Sequence, residues 1–460
     1  MVKEEKPPRQ EAAFRRDWTQ GSVIRNLLLL SWPMVLMETL FVVSQVADMI
    51  WVGKLGPSSI AGVGVANIVI SLVMSMDIGL IVGVRAMVAR FVGAGNVAQA
   101  NHVAAQGFIV GAAWGLLMTA IGVSLAGPIM NLFGMENVVV SEGTAYMRWM
   151  FAGWLAMDIL VMGLYIVQSS GDTVTPLLIE VLIRTIHVTL CPFLVLGLWI
   201  FPQMGVRGAA FSNIFSQSLG TLLVLGLLFG GRTRLHLTLK DFRLDPQIIW
   251  RILKIGIPAQ VMSLQRAFGN FMLIWFMAPF GTLAVAGHSL VTRVEMFLYL
   301  PGLGFGMGAG VLLGQNLGAG RPERAEKNGW LALGYLEAIM VACSAAILLW
   351  AENIMGIFTS DPALLEISSI FLRIAAAAFL VLAFVSVFQQ CIAGAGDTVP
   401  NMIISIAMVW VVLLPLAYGL SQYTDLGVYG VRWAIVASTL AGAIAYTVYF
   451  KMGRWKVKKV

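Results

Sequence analysis

The sequence predicts an all-α integral membrane protein in which twelve transmembrane helices form two six-helix lobes in tandem repeat. Three observations predict this fold: an apolar composition, recurrent apolar runs and an internal repeat. Of the 460 residues, 59% are hydrophobic and only 12% are charged, whereas a soluble domain carries about 25% charged residues. The mean hydropathy of +0.85 also places the chain in the membrane class.

Apolar runs of about 18 residues or more, the length that crosses a bilayer, recur from one end of the chain to the other. A backbone in lipid must satisfy its own hydrogen bonds, so these runs must be helices. A membrane β-barrel would instead show alternating segments of about ten residues. The predicted spans cover residues 24–52, 58–84, 103–132, 143–168, 174–200, 206–230, 248–278, 282–312, 328–357, 366–393, 399–420 and 428–450.

The distribution of basic residues predicts the topology. If the N-terminus is cytoplasmic, 22 of the 30 Lys and Arg residues fall in inner segments and only Lys54, Arg148, Arg207 and Arg432 fall in outer ones. This asymmetry follows the positive-inside rule. We therefore attribute the net charge of +7 to topology and expect no nucleic-acid partner. The prediction is a multi-pass protein of the cell (cytoplasmic) membrane with both termini cytoplasmic.

An internal repeat organises the chain. Markers recur at one constant offset, the separation between positions 33 and 258. The pairs are Pro33 with Pro258, Gly56 with Gly281, Gly62 with Gly287, Gly95 with Gly320 and Gly171 with Gly396, while Gly205 and Gly427 pair at a slightly shorter offset. Six spans per half give both halves the same orientation, which predicts an axis along the membrane normal and a cavity between the lobes.

The repeat predicts five regions. Residues 1–23 form a cytoplasmic tail and residues 24–230 the N-terminal six-helix lobe. Residues 231–247 form a polar cytoplasmic linker, residues 248–450 the C-terminal six-helix lobe and residues 451–460 a basic cytoplasmic tail.

Three motifs are similar to those of the multidrug and toxic compound extrusion (MATE) transporters. They are the segment 46–53 followed by Leu55-Gly56, the segment 313–320, and the Gly-Asp-Thr turn repeated at Gly171 and Gly396. The resemblance implies a V-shaped secondary transporter that exports amphipathic, often cationic, organic compounds against inward H⁺ or Na⁺ by alternating access. It implies small-molecule substrates in a lipid bilayer, no cofactor beyond the coupling ion and no enzymatic activity. We expect a monomer.

The resemblance also implies where coupling residues lie. One branch of the family has a carboxylate after the proline of the seventh span, but here Pro258 is followed by Arg266 at about that position. The DinF-like branch uses an aspartate in the first span with an Asn and an Asp in the fifth. Asp48 matches the first of these, while His187 and Cys191 stand at the other two positions. We place the chain nearest the DinF-like branch.

Ionisable groups at membrane depth are costly and are functional hypotheses by default. Asp48 has Ser44 and Gln45 one helical turn before it, which predicts a shared oxygen cluster for Na⁺ or a carboxylate for H⁺. Glu38 shares the face of Gln45 and is a candidate for binding a proton or a cationic substrate. The alternative for Glu38 is a structural pair with an arginine.

The fifth span carries Glu180, Arg184, His187 and Cys191 at spacings of four, three and four residues, so they form one stripe. Glu180 and Arg184 can form an i,i+4 ion pair, and His187 can relay protons to Asp48. Substrate-cavity candidates are Glu180, Arg184, Cys191, Asp158 and Arg266, with Asp77 as a further possibility, and hinge candidates are Pro33, Pro192, Pro258 and Pro415.

The remaining membrane charges lie in the second half and predict a salt-bridge network: Arg266, His288, Arg293, Glu295, Glu337 and Arg373. An enzyme is excluded because the four histidines are scattered and no nucleotide-binding or metalloprotease motif occurs. Cys191, Cys343 and Cys391 match no zinc or disulfide spacing. The alternative function is a lipid-linked oligosaccharide flippase of related fold, which would use Arg184 and Arg266.

Overall fold

The computed structural model describes residues 16–458 and residue 460, so residues 1–15 of the predicted tail and Lys459 lie outside the described residues. The described chain is helical, without a β-strand. The first half contains α1 Val23–Gly53, α2 Pro57–Gly93, α3 Val97–Asn131, α4 Asn137–Ala152, α5 Trp154–Ser169, α6 Val174–Leu196 and α7 Val206–Phe229. The second half contains α8 Pro246–Met277, α9 Thr282–Gly318, α10 Pro322–Gly356, α11 Pro362–Gly394, α12 Thr398–Ile406, α13 Leu414–Gln422 and α14 Val428–Met452.

Each predicted span coincides with one helix or with a broken pair, which confirms the all-α membrane fold. Ten spans are long and apolar enough to cross a membrane as they stand, counting α12 to α13 as one. The fourth span is the pair α4 and α5, bent by 51°. The seventh span is α8, which is less apolar because Gln260, Gln265, Arg266 and Asn270 interrupt its apolar sequence.

The internal repeat is also visible in the backbone angles of paired glycines. Gly205 and Gly427 precede the last helix of each half with φ/ψ of 58/−136° and 52/−129°. Gly56 and Gly281 precede the second helix of each half with φ/ψ of 115/173° and 93/170°. Side chains other than glycine rarely adopt these positive φ values, so paired glycines in the sequence reflect paired turns in the fold.

The chain forms two compact units that divide inside helices. Among the described residues, unit 1 holds residues 16–20 and Leu36–Lys254, and unit 2 holds Gly21–Val35 and the chain from Ile255 onward. Residues 24–35 therefore group with unit 2 and residues 248–254 with unit 1, whereas the predicted lobe boundaries assign them the other way round.

Two glycines at equivalent positions of the repeat explain this division. A Cβ on Gly308 of α9 would lie 2.2 Å from the hydroxyl of Ser31, so the start of α1 packs closely on α9 within unit 2. A Cβ on Gly83 of α2 would lie 2.4 Å from the carbonyl oxygen of Ile252, so the start of α8 packs closely on α2 within unit 1. Each glycine lets a helix backbone approach at a distance that a side chain would prevent.

The hinge candidates differ in their backbone. Pro33, Pro192 and Pro258 lie inside helices that continue through them. Before Pro415, the eleventh span changes from α12 to a π-helix over Ala407–Leu413 and then to α13. Proline lacks an N–H group and breaks the regular hydrogen-bond ladder, and the wider π turn adjoins that break.

The predicted linker packs against α3 inside unit 1. The Gln106 side chain donates to the Arg243 carbonyl at 2.8 Å and accepts from the Asp245 amide at 3.1 Å. Asp245 caps the start of α8 by accepting from the amides of Gln247 and Ile248 at 3.0 and 3.2 Å, and it also lies 3.2 Å from His102 Nε2. These hydrogen bonds, that from the Ile248 backbone foremost, hold the pKa of the Asp245 carboxyl below its usual range.

We predict that Asp245→Ala lowers the midpoint of thermal unfolding in detergent, because it removes this cap. Asp245→Asn keeps the capping oxygen but not the charge, so it is the control and should have a midpoint between those of the alanine and wild-type proteins at neutral pH. The capping carboxylate has a lowered folded-state pKa, so its stabilisation is present at neutral pH and is lost as the pH falls through that pKa. Equal midpoints for the alanine and wild-type proteins would contradict the assignment.

Candidate functional site

The polar stripes of α1 and α6 meet inside unit 1. Ser44 Oγ lies 3.0 Å from His187 Nδ1, and Asp48 Oδ1 lies 3.0 Å from His187 Nε2. One turn further along α6, the Cys191 thiol lies 3.6 Å from Asp48 Oδ1. Residues later in α1 contact residues later in α6, so the two helices run parallel. Parallel helices are expected here because the first and fifth spans cross the membrane in the same direction. We call Ser44, Asp48, His187 and Cys191 the α1–α6 cluster.

The α1–α6 cluster is almost closed off by protein. His187 is 1% exposed and Cys191 is 0% exposed, while the Asp48 side chain keeps 18% of its surface. Tyr146 of α4 is buried, interacts electrostatically with Asp48 and Cys191, and hydrogen-bonds with Asn67. One carboxylate, one imidazole and one thiol therefore share a low-dielectric site that stays open only at Asp48.

The contact between His187 and Asp48 has an unusual geometry. Their atoms are 3.0 Å apart, but His187 Nε2 has no aligned hydrogen-bond partner among the described residues. The distance fits a hydrogen bond and the direction does not. The buried Nε2 atom therefore lies beside the Asp48 carboxylate without an aligned hydrogen bond to it.

Glu38 belongs to a second cluster. Its carboxyl hydrogen-bonds with Tyr165 and lies in the electrostatic field of Glu180, Arg85 and Arg184. The predicted Glu180–Arg184 ion pair is present at 2.7 Å. Glu38 precedes Asp48 by ten residues, or about 15 Å along a helix. Glu38 therefore lies apart from the α1–α6 cluster, among arginines as in the structural alternative considered for it.

A third cluster pairs Asp77 of α2 with Asp158 of α5. Their side chains interact with each other, and the indole N–H of Trp114 donates to Asp77 at 2.5 Å. Asp158 is buried. The sequence does not predict this pair, because the two aspartates lie on different helices and no local spacing connects them.

Two predicted site residues lie apart from these clusters. Gln45 is exposed and takes no part in the described contacts of the α1–α6 cluster, because it points from α1 to a different side than Ser44. Arg266 belongs to unit 2, is exposed, and donates to the Tyr299 hydroxyl at 3.3 Å.

The charges of unit 2 centre on Arg432, which sequence analysis counted among the outer positive charges. It lies in the first turn of α14 and is 1% exposed. Arg432 donates to the carboxylate of Glu295 and lies 3.1 Å from His288 Nδ1. Two members of the predicted network, His288 and Glu295, thus meet at Arg432, which the prediction did not include. Arg373 instead pairs at 2.8 Å with Glu352 on an exposed surface.

Repeated helical units with ionisable side chains inside apolar helices are typical of a multi-pass membrane transporter. The chain belongs to the MatE family, whose sequence model matches residues 33–193 and again residues 258–419. The two matched stretches begin at equivalent positions of the repeat, Pro33 and Pro258, and together cover more than half of the chain. The protein is therefore a transporter and not an enzyme.

Relatives and solved structures align over nearly the whole chain. A probable multidrug resistance protein NorM of Thermotoga maritima is 27% identical over 444 residues, covering 95% of this chain and 94% of the relative. An FAD transporter of Shewanella oneidensis is 26% identical, covering 92% and 93%. An outward-facing multidrug resistance MATE transporter structure has a TM-score of 0.90 at 25% identity, covering 99% of this chain and 100% of that one.

We predict that Arg432→Ala lowers thermal stability far more than Arg373→Ala. Removing one partner of a buried ion pair costs about 3–5 kcal/mol, whereas an exposed pair contributes about 0–1 kcal/mol. Unfolding of the two purified variants in the same detergent compares them directly. A similar shift for both variants would show that Arg432 does not stabilise unit 2 through Glu295.

Proposed function

We propose that this protein is a secondary active multidrug exporter of the cell membrane, with both termini cytoplasmic. It would antiport amphipathic, often cationic, organic compounds against inward H⁺ or Na⁺ by alternating access, as a monomer. The observation that carries the proposal is the α1–α6 cluster, in which Asp48 meets a buried histidine inside a six-helix unit. The names of the multidrug-resistance relatives support the choice of substrates.

Asp48 is suited to coupling because its charge must be compensated inside the membrane. A carboxylate at membrane depth costs several kcal/mol unless a cation or hydrogen-bond donors neutralise it. A bound cation therefore favours the conformation in which the α1–α6 contact is intact. If substrate favours the other conformation of unit 1, each ligand weakens the binding of the other, and the effect is reciprocal.

The donors around Asp48 favour H⁺ over Na⁺ as the coupling ion. Small hard cations are bound by oxygen ligands, but the nearest neighbours of the carboxylate are an imidazole nitrogen and a thiol sulfur. An imidazole, by contrast, exchanges protons near neutral pH. We therefore expect a pH gradient to drive transport and a Na⁺ gradient to drive it weakly or not at all.

The Glu38 cluster is better suited to structure than to substrate binding. Two carboxylates, Glu38 and Glu180, face two guanidinium groups, Arg85 and Arg184, so their charges balance without a ligand. Arg184 also lies 5.1 Å from the ring of Phe41. Because Arg184 is already engaged by Glu180 and Phe41, it is poorly placed to bind the anionic group of a lipid-linked oligosaccharide. This observation and the names of the relatives both disfavour the flippase alternative.

Pro33 and Pro258 are the hinges that we favour. The division between units falls at Val35 in α1 and at Lys254 in α8, within one turn of each proline. A proline removes one hydrogen bond from the helix and so weakens it locally. We infer that bending of α1 and α8 at these points accompanies alternating access.

The proposal predicts gradient-driven efflux of a fluorescent lipophilic cation from proteoliposomes. An imposed pH gradient should accelerate efflux, and a Na⁺ gradient alone should have little effect. Efflux driven only by a Na⁺ gradient would still support a secondary active exporter, but it would contradict H⁺ as the coupling ion. No efflux under either gradient from folded protein, together with binding of an anionic lipid-linked carrier, would favour the flippase.

Replacing Asp48 tests its role separately. We predict that Asp48→Asn reduces gradient-driven efflux to the rate of protein-free liposomes while the protein remains folded. The matched control is Asp361→Asn, which changes the carboxylate that caps α11 to an equally good capping residue and should transport normally. Wild-type efflux by Asp48→Asn would exclude Asp48 from coupling.

A further inference from the structure

The α1–α6 cluster also has the chemistry of a transition-metal site. We propose that Asp48, His187 and Cys191 bind a divalent metal ion of the zinc class through three protein ligands, with a fourth position open to water or to a ligand. The inference concerns unit 1 alone and does not depend on which ion, if any, drives transport.

The donor set points to this class of ion. Thiolate and imidazole ligands favour zinc and similar borderline or soft metals, whereas magnesium and calcium favour oxygen ligands. Sites with three protein ligands of the Cys, His and carboxylate types and one open position are typical of zinc that binds an exchangeable ligand. The Asp48 carboxylate, with 18% of its surface exposed, gives such a ligand a route of access.

The positions of the three donor atoms fit one central ion. One ligand atom from each residue lies within 4.8 Å of the others, and the Asp48 oxygen is 3.0 Å from Nε2 and 3.6 Å from the thiol sulfur. Zinc bonds of about 2.0–2.3 Å at tetrahedral angles place ligand atoms roughly 3.3–3.6 Å apart. The two distances from the Asp48 oxygen lie close to this range, and the His187 and Cys191 ligand atoms lie within 4.8 Å of each other.

The direction of His187 is the second observation. Two groups that hydrogen-bond to each other are aligned, but two ligands of one metal are aimed at the metal. The buried Nε2 atom lies beside Asp48 without an aligned partner among the described residues. An ion seated between the carboxylate, the imidazole and the sulfur would satisfy this atom.

Neighbouring residues support the ligands as in known metal sites. Ser44 contacts Nδ1 at 3.0 Å, so an N–H at Nδ1 that donates to the serine would leave the Nε2 lone pair for a metal. Cys191 hydrogen-bonds with Ser212. Within the described part of the chain, Cys343 and Cys391 have no comparable group of ligands around them.

Cobalt(II) provides a direct optical test, because a thiolate–cobalt bond absorbs in the near ultraviolet and tetrahedral cobalt absorbs in the visible. We expect one Co²⁺ per purified protein in detergent, with both absorptions, and displacement by Zn²⁺. A Cys343→Ala/Cys391→Ala variant, in which Cys191 is the sole thiol, should keep the full signal. The absence of a thiolate–cobalt band in this variant and in the wild type would overturn the proposal.

Single substitutions assign the ligands. Cys191→Ser should abolish the thiolate band, His187→Ala should shift the visible absorption and weaken binding, and Ser44→Ala should weaken binding by about tenfold or more. Size-exclusion chromatography and thermal unfolding show whether each variant is folded. A thiolate band that persists in folded Cys191→Ser would contradict the site. These readouts need no transport, so a failed efflux experiment leaves this test intact.

Discussion

The need to compensate charge inside an apolar bilayer governs this structure. The paired membrane charges come from different helices or from successive turns of one helix. Glu180 pairs with Arg184 along α6, and Arg432 pairs with Glu295 between α14 and α9. Asp48 differs, because the neighbouring His187 carries a fixed charge only when it is protonated. The arginine pairs hold a fixed positive charge, whereas Asp48 has no such charge among its described contacts, and the proposed role of Asp48 in coupling rests on this difference.

The two halves of the chain share their backbone turns and close helix contacts, but their ionisable residues differ. Paired glycines have matching backbone angles in the two halves, and Gly83 and Gly308 receive the start of α8 and of α1 respectively. In the second half, the position equivalent to Asp48 holds Leu273, and the stretch 409–416 that corresponds to the region of His187 and Cys191 contains no histidine and no cysteine. Unit 2 therefore has no equivalent of the α1–α6 cluster at these positions, and it uses a buried arginine to join its helices instead.

Hydropathy and the repeat predict most of the fold, because each span must be apolar and each special turn needs glycine. The contact of Asp48 with His187 also follows from helical spacing combined with the family resemblance. Contacts between helices could not be predicted in the same way. No feature of the sequence indicates that Asp77 contacts Asp158 or that Arg432 contacts Glu295. The boundaries between the two units, which fall inside α1 and α8, could not be predicted either. They depend on close packing at Gly83 and Gly308 rather than on hydropathy.

The central claim is that substrate and coupling ion oppose each other through Asp48. The most direct measurement is the affinity of a fluorescent lipophilic cation for the purified protein at increasing H⁺ and, separately, increasing Na⁺ concentration. The account predicts that binding by the wild type weakens as H⁺ increases, and that Asp48→Asn binds with an affinity independent of pH over the same range. The same pH dependence in both proteins, or none in the wild type, would contradict it.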